Sequence, residues 1–426
     1  MLSTLRNAWK VPELRKKFLW TIGLVAIFRI GTHLPVPGIS PEYLKEISTS
    51  GSLFGLMDLI SGGAFSNFSI LALGVSPYIN ASIIVQLLTI AIPSLEAMSK
   101  EGEEGRKKIQ SITRVLSIFI GFLLSFTVLQ SIRSANIAAA DITTAQTAIV
   151  LISLVVGSTF AMWLGDQITV KGFGNGVSIL IFVNIVSRLP VSVMSIWNLK
   201  DTGEIGIIEI GLFAVFILAS LGAVIYFSLA ERKIPVQYAG KAVGNKVMKQ
   251  QSTHIPLSII GSTVIAIIFS MSVMSFPTTI AQIFPTWEWS KWVIGNTNCF
   301  MNPQSVWYLV LYALLTVFFT YFYTQITYKP DEMAENLNKS AGFIPGIRPG
   351  EETEKYFERV LTRISMISGV FAAFIAITPL LISNYTKLGQ ISFFGTSLLI
   401  MVSVGLEFSK RLDSQLVMRH YQGFLK

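Results

Sequence analysis

The sequence predicts an all-α polytopic membrane protein with ten transmembrane helices. Three observations carry that reading. Of 426 residues, 52% are hydrophobic and 13% charged, with a mean hydropathy of +0.60, whereas a water-soluble surface needs charge over most of its area. The charge is confined to short stretches between long apolar runs such as Ile205 to Ala230. Those runs are continuously apolar rather than alternating, which excludes a closed barrel and leaves helices, because lipid offers no partner to a free backbone group.

A hydrocarbon core of about 30 Å needs about 20 helical residues. Ten runs have that length: 18–37, 68–92, 112–132, 147–165, 175–197, 206–230, 256–276, 304–328, 364–384 and 390–408. The first follows Arg6, Lys10, Arg15, Lys16 and Lys17 and carries no small-residue cleavage motif, so it reads as a retained helix. Of the 33 Lys and Arg residues, 26 fall in the segments that are inner if the N-terminus is cytoplasmic, 6 in the outer ones, and Arg29 within the first run. That asymmetry sets both termini in the cytoplasm. Five spans per half is an odd number, so halves of similar structure, 1–197 and 198–426, would have opposite topology. The single cysteine, Cys299, lies in the outer loop between the seventh and eighth runs. An impermeant thiol reagent should reach it from outside unless the local fold shields it.

Several function classes drop out. One cysteine excludes an internal disulfide and a cysteine-cluster metal site, and His33, His254 and His420 are too far apart for a local ligand pair. The net charge of +9 suits a nucleic-acid binder in number but membrane topology in placement. The glycines around Phe173-Gly174-Asn175-Gly176 follow a membrane run rather than a strand, and Gly240, Lys241, Gly244 and Lys246 lack the spacing of a nucleotide-binding loop. No cofactor is implied. Ionisable residues inside spans, the usual marks of ion coupling, amount to Arg29 with Glu209 and Glu407 near span ends, which weakens the case for an ion-coupled secondary transporter. Arg29 itself fits either a snorkelling side chain or a functional one.

The second run is the most polar, with Ser76, Pro77, Asn80, Ser82 and Gln86. Pro77 bends it or frees a carbonyl, and its polar residues fit either a specialised helix or ordinary packing. Ile79 and Ile83 share one face at i and i+4, as do Ile181 and Ile185 on the fifth run. The stretch Leu53 to Phe65, framed by Gly51, Gly55, Gly62 and Gly63, is apolar but too short to cross. It is either a short helix filling a cavity or an interfacial one. The loop 231–255 holds five basic residues and one acidic, suited to acidic partners, and 329–363 holds six basic and seven acidic. In the latter, Gly346-Ile347-Arg348-Pro349-Gly350 makes a stiff turn that holds the Arg348 guanidinium away from the loop body.

Four strings resemble the SecY family of protein-conducting channels, in order over nearly the whole chain. They are Leu73 to Ser82 (LGVSPYINAS), Trp163 to Thr169 leading into Gly172 to Gly176, Glu231 to Tyr238 (ERKIPVQY), and Ala334 to Leu337 through Arg348-Pro349-Gly350. The resemblance implies an hourglass of two inverted five-helix halves, hinged between spans five and six and opening sideways between spans two/three and seven/eight. It implies a pore constriction at Ile79, Ile83, Ile181, Ile185, Ile268 and Ile400, and a plug around Leu53, Phe54, Leu56, Met57, Leu59 and Ile60. It also implies a lateral gate with Gln86 and, at a position the family usually fills with Asn, Ile260. Partner contacts fall at Arg232, Lys233, Lys241, Lys246, Lys249 and Arg348, the partners implied being a SecA motor ATPase or a translating ribosome, with SecE and SecG as membrane subunits and secretory and membrane proteins as clients. No catalytic role is implied. The rival readings are an inverted-repeat secondary transporter of a small solute and an intramembrane enzyme, the latter lacking a credible nucleophile, metal site or carboxylate pair.

Overall fold

The computed structural model describes residues 9, 11–37, 61–65, 67–134, 144–201, 203, 206–238, 242–243, 246–247, 252–259, 263–284, 287–296, 299–302, 305–385 and 394–423. Seven helices there have an 18-residue stretch apolar enough to cross a membrane. They are α4 (Glu103–Ser134), α5 (Thr144–Lys171), α6 (Gly176–Asp201), α7 (Ile207–Leu229), α8 (Thr263–Ile283), α10 (Val306–Tyr328) and α12 (Glu351–Tyr385). The pair α2 (Ser76–Ala91) and α3 (Pro93–Lys100), bent by 101° at Ile92, makes an eighth. With α1 (Pro12–Gly31) and α13 (Phe394–Gly423), each of the ten expected spans has its helix. The chain is a multi-pass membrane protein.

Three boundaries differ from the sequence reading, each for a physical reason. Helix α1 starts at Pro12, a residue suited to a first helical turn, and stops at Gly31, after which the Thr32 hydroxyl donates to the Arg29 carbonyl at 2.7 Å. Residues 68–75 are not helical. They run as turns whose backbone pairs with the chain after α1, with Val36 N donating to Phe68 O and Ile70 N to Leu34 O, both at 2.9 Å. Helix α2 therefore begins at Ser76. The run expected from 256 begins as a strand, β4 (Ser252–Ser258), and α8 starts only at Thr263.

That strand belongs to a feature absent from the sequence reading. Strand β1 (Glu231–Tyr238) pairs antiparallel with β4, Ile234 opposite Ile255, and on its other edge with β5 (Gly342–Phe343), Gln237 opposite Phe343. The two long loops thus share one sheet. Beneath it Ile234, Val236, Leu257, Ala334, Leu337, Ile344, Phe357 and Leu361 form a closed apolar cluster with the short helix α11 (Pro330–Lys339) and the start of α12. The hairpin β2 (Ala242–Val243) and β3 (Lys246–Val247) lies between β1 and β4.

Helix packing uses small residues where backbones meet. A Cβ on Gly157 of α5 would fall 1.8 Å from the Ile70 carbonyl, and one on Gly176 of α6 1.9 Å from the Gly165 carbonyl. The remainder of the apolar surface faces outward: in α7 only 11% of the most apolar window is buried, and Ile207, Ile208, Leu212, Val215 and Leu218 are exposed, as lipid-facing side chains must be.

Between α8 and α10 sits the short helix α9 (Glu288–Gly295), carrying exposed Trp289 and Trp292. Cys299 lies beside it at 2% exposure, so the local fold does shield the thiol and the native cysteine cannot report topology. A cysteine at exposed Glu288 can. We expect Glu288→Cys to react with an impermeant maleimide in intact cells while the native protein reacts only after unfolding. Labelling of Glu288→Cys solely from the inner face would reverse the orientation.

Candidate functional site

Four helices converge, and each brings isoleucine. On α2, Ile79 and Ile83 share a face, as do Ile181 and Ile185 on α6, while Ile268 comes from α8 and Ile400 from α13. Ile181, Ile185 and Ile400 belong to one apolar cluster with Leu24, Phe28, Leu71 and Val75, against which Ile79 packs. Ile83 belongs to a second with Ala266, Phe269 and Phe319, against which Ile79 and Ile268 pack. The six side chains are thus brought together in two clusters that share Ile79. Four of them are buried, Ile83 at 7% exposure, Ile181 at 7%, Ile185 at 3% and Ile400 at 9%, and Ile79 and Ile268 are partly buried.

The irregular segment before α2 abuts this centre. Gly62 and Gly63 have φ of +68° and +92°, backbone that favours glycine. A Cβ at Gly62 would sit 2.7 Å from Asn184 Oδ1, so α6 leaves room there only for glycine. Phe65 N donates to Ser61 Oγ at 3.2 Å, and Phe65, Phe68 and Leu73 are buried against α4 and α5. The expected plug residues Leu53, Phe54, Leu56, Met57, Leu59 and Ile60 lie outside the described residues.

A seam runs from the isoleucines toward the α3 end of α2, between α2 on one side and α8 and α10 on the other. Ile83, Leu87, Ile265, Phe269, Leu315 and Phe319 fill it. Two hydrogen bonds cross it. Gln86 Nε2 donates to Tyr323 Oη at 3.1 Å, and Ser272 Oγ donates to Asn80 Oδ1 at 2.9 Å. Gln86 was expected here; Ile260 lies outside the described residues. Tyr323 and Ser272 were missed, although Gln86 and Asn80 on a mostly apolar helix signal that partners exist on a neighbour.

Past its α3 end the seam is flanked by charge. Glu96 and Lys100 of α3 bond each other at 2.7 Å, and that hydrogen bond, then the Lys100 charge, holds the Glu96 carboxyl below its ordinary range. Lys329, at the start of α11, pulls in the same direction, and Glu332 and Asp331 of α11 help to raise Lys100. The groups are fully exposed, so their contribution is a solvent-screened one.

Of the expected partner contacts, Arg232 and Lys233 are exposed on β1, and Lys246 falls on β3. Arg348 is exposed at the tip of a turn bounded by Gly346 and Gly350, with φ of +83° and +98°, and its carbonyl accepts from Thr353 Oγ1 at 2.8 Å. The turn thus fixes the backbone and leaves the guanidinium outward. Lys241 and Lys249 lie outside the described residues. Among the described residues no three His, Cys, Asp or Glu are grouped to hold a metal ion.

Comparison with known proteins places this architecture. The SecY family model matches residues 69–409. The chain is 40% identical over 437 residues to a protein translocase subunit SecY of Halalkalibacterium halodurans and 38% identical over 443 residues to that of Streptomyces coelicolor, with 100% of each chain covered in both cases. The structure of a protein-conducting channel superposes with a TM-score of 0.68 over 95% of this chain and 93% of that one, a likeness of fold at 19% identity. Matched along its whole length at that level of identity, the chain belongs to the SecY family.

Proposed function

We propose that this chain is a protein-conducting channel, the membrane subunit that passes unfolded secretory polypeptides across the cytoplasmic membrane and releases apolar segments sideways into lipid. The observation that carries the reading is the gathering of Ile79, Ile83, Ile181, Ile185, Ile268 and Ile400 from four helices into two apolar clusters that share Ile79, with an apolar seam leading away from them. Branched apolar side chains dewet a constriction and block ions. Each contact they make is weak and non-directional, so the ring yields around a passing chain. The small-solute transporter finds no support in the family.

In this reading the seam is the lateral gate and residues 1–197 and 198–426 are the two halves that part, with Leu53 to Phe65 as the plug on the outer side. A client segment gains about 0.3 to 0.6 kcal/mol for each central Leu, Ile, Phe or Val on entering lipid and loses about 2.5 to 3.5 for a central charge. A side opening lets that balance sort segments between the membrane and the far side. The chain forms and breaks no covalent bond in this process, so the driving force comes from a partner. SecA or a translating ribosome docks on the shared sheet and the Arg348 turn, with SecE and SecG as membrane subunits. Both termini are cytoplasmic.

Three outcomes test this. Ile83→Asn and Ile400→Asn should raise resting ion conductance in planar bilayers, since a polar ring no longer dewets; normal conductance in both, with insertion verified, sinks the constriction. Tyr323→Phe removes the acceptor of Gln86 at a bond worth about 1 kcal/mol, a roughly fivefold shift toward the open gate. Transport of clients with weakly apolar signals should rise accordingly, and unchanged transport would remove Tyr323 from the gate. Arg348→Glu should abolish partner-driven transport and Arg348→Lys retain part of it, because the planar fork is lost. Full transport by the Glu variant ends the docking role.

A further inference from the structure

The segment between α8 and α10 takes no part in the constriction or the seam, yet tryptophan is concentrated there. Four of the chain's eight tryptophans, Trp287, Trp289, Trp292 and Trp307, fall between positions 287 and 307. All four are exposed, as are Phe284 and Phe300 beside them. Phe284 stacks on Trp287 with ring centroids 4.6 Å apart, and Trp292 packs on Phe300 at 6.2 Å.

The depth of this aromatic surface is set by α8. That helix has 21 residues, a length of about 30 Å, which is the thickness of the hydrocarbon core. It starts beyond β4 of the sheet, and at its far end Phe284 N donates to Ile280 O and Trp287 N to Phe284 O, so the chain turns directly into α9. Helix α9 therefore lies across the hydrocarbon from the sheet, where lipid meets water. Helix α10 then returns toward the sheet with Trp307, Val310, Leu314 and Phe318 exposed at i, i+3, i+7 and i+11, while Tyr308, Tyr312, Thr316 and Phe319 are buried on its other side. That exposed stripe faces lipid, and Trp307 is its member nearest the boundary. Helix α9 itself divides into three faces, each a pair at i and i+3 and each about 100° further round the axis. Ser290 and Val293 are buried against the protein, Trp289 and Trp292 are exposed on one flank, and Glu288 and Lys291 are exposed beyond them.

We propose that α9 lies in the plane of the phospholipid headgroup layer, in the leaflet opposite the sheet, with Trp289 and Trp292 inserted among the lipids and Glu288 and Lys291 in water. The occupant of the exposed aromatic face is lipid because that face continues, at the same level, the lipid-facing stripe of α10. Its chemistry agrees: an indole has an apolar body for the upper acyl chains and one N–H to donate to an ester carbonyl, and a charged face on the other flank keeps the helix from sinking further. Helix α8 carries Ile268 of the constriction and Ser272 of the seam. The headgroup layer thus holds one end of the helix that borders the seam. The proposal needs only that the chain spans a membrane, so it stands or falls apart from the channel reading.

Fluorescence quenching locates the two indoles. The full-length protein and its Trp289→Phe, Trp292→Phe double variant, which keeps an aromatic ring at both positions, are reconstituted in phosphatidylcholine vesicles, and the difference between their emissions isolates these residues. That difference should be quenched about twofold more by phosphatidylcholine brominated near the carbonyl end of the acyl chain than by lipid brominated near the terminal methyl, as a depth of about 5 to 10 Å requires. Aqueous acrylamide should quench it far less than it quenches the same protein unfolded in guanidinium. Strong acrylamide quenching with no effect of brominated lipid would place α9 in water, over the mouth of the molecule or beyond it, and overturns the proposal. Deeper bromine quenching more strongly than shallow overturns the interfacial placement. Quenching by neither reagent overturns it too, since the aromatic face would then be covered by protein.

Discussion

A peptide group inside hydrocarbon has to find its hydrogen bond within the protein. Helices meet that demand internally, and ten of them account for most of this chain. The demand is felt most where the chain is not helical at membrane depth, between Ser61 and Val75. Most of its described residues are enclosed: Ala64, Phe65, Phe68, Ser69, Leu71, Ala72, Leu73 and Val75 are all buried. Its carbonyls and amides pair with residues 34–36 and with one another, and Gly157 lets Ile70 approach the α5 backbone. Once this irregular wedge is accommodated, the positions of α1, α2, α5 and α6 around it follow, and with them the meeting of the isoleucines.

The seam shows how a membrane protein keeps an interface that is able to part. Oil-like side chains fill it, and apolar contacts between helices are not favoured over contacts with lipid tails. Parting costs little beyond lost packing if lipid or an apolar client segment takes the vacated place. The two cross-seam hydrogen bonds, Gln86 to Tyr323 and Ser272 to Asn80, supply what apolar contact cannot: a defined register and a modest preference for the closed arrangement. The α3 and α11 charges flank the same seam in water, where screening keeps their effect small.

The number and order of spans were legible in the sequence because hydropathy over 20 residues is a strong signal, and α7 shows it in undiluted form. Its limits appear at residues 255–258. Ile255 and Leu257 are as apolar as a span requires, yet they serve the cluster under the sheet, and hydropathy averaged over a stretch cannot tell a small apolar core outside the spans from lipid. The pairing of β1 with β5 was invisible for another reason, since it joins residues about a hundred positions apart through a strand of two. The isoleucine faces of α2 and α6 could be read from i, i+4 spacing, whereas the roles implied for Ile268 and Ile400 came with the family resemblance alone. Tyr323 was hidden because a tyrosine on an aromatic-rich helix carries no mark of its partner. Arg188 falls within the run 175–197 yet was counted among the six outer charges, and only the folded chain brings it beside Arg29.

The shared sheet has a consequence for how the protein is made. Strands β1 and β4 are close in sequence and can pair as soon as they are synthesised, but β5 and α11 emerge only after two further spans have been inserted. Until then one edge of β1 has no neighbour, and Ile234 and Val236 lack the cover that Leu337, Ile344 and Phe357 later give them. An unfinished chain therefore displays an open strand edge and bare apolar residues, features that invite mispairing and capture by proteases and chaperones. The cover is complete only once α11, β5 and the start of α12 are in place, so a chain cut short of them keeps that apolar face bare.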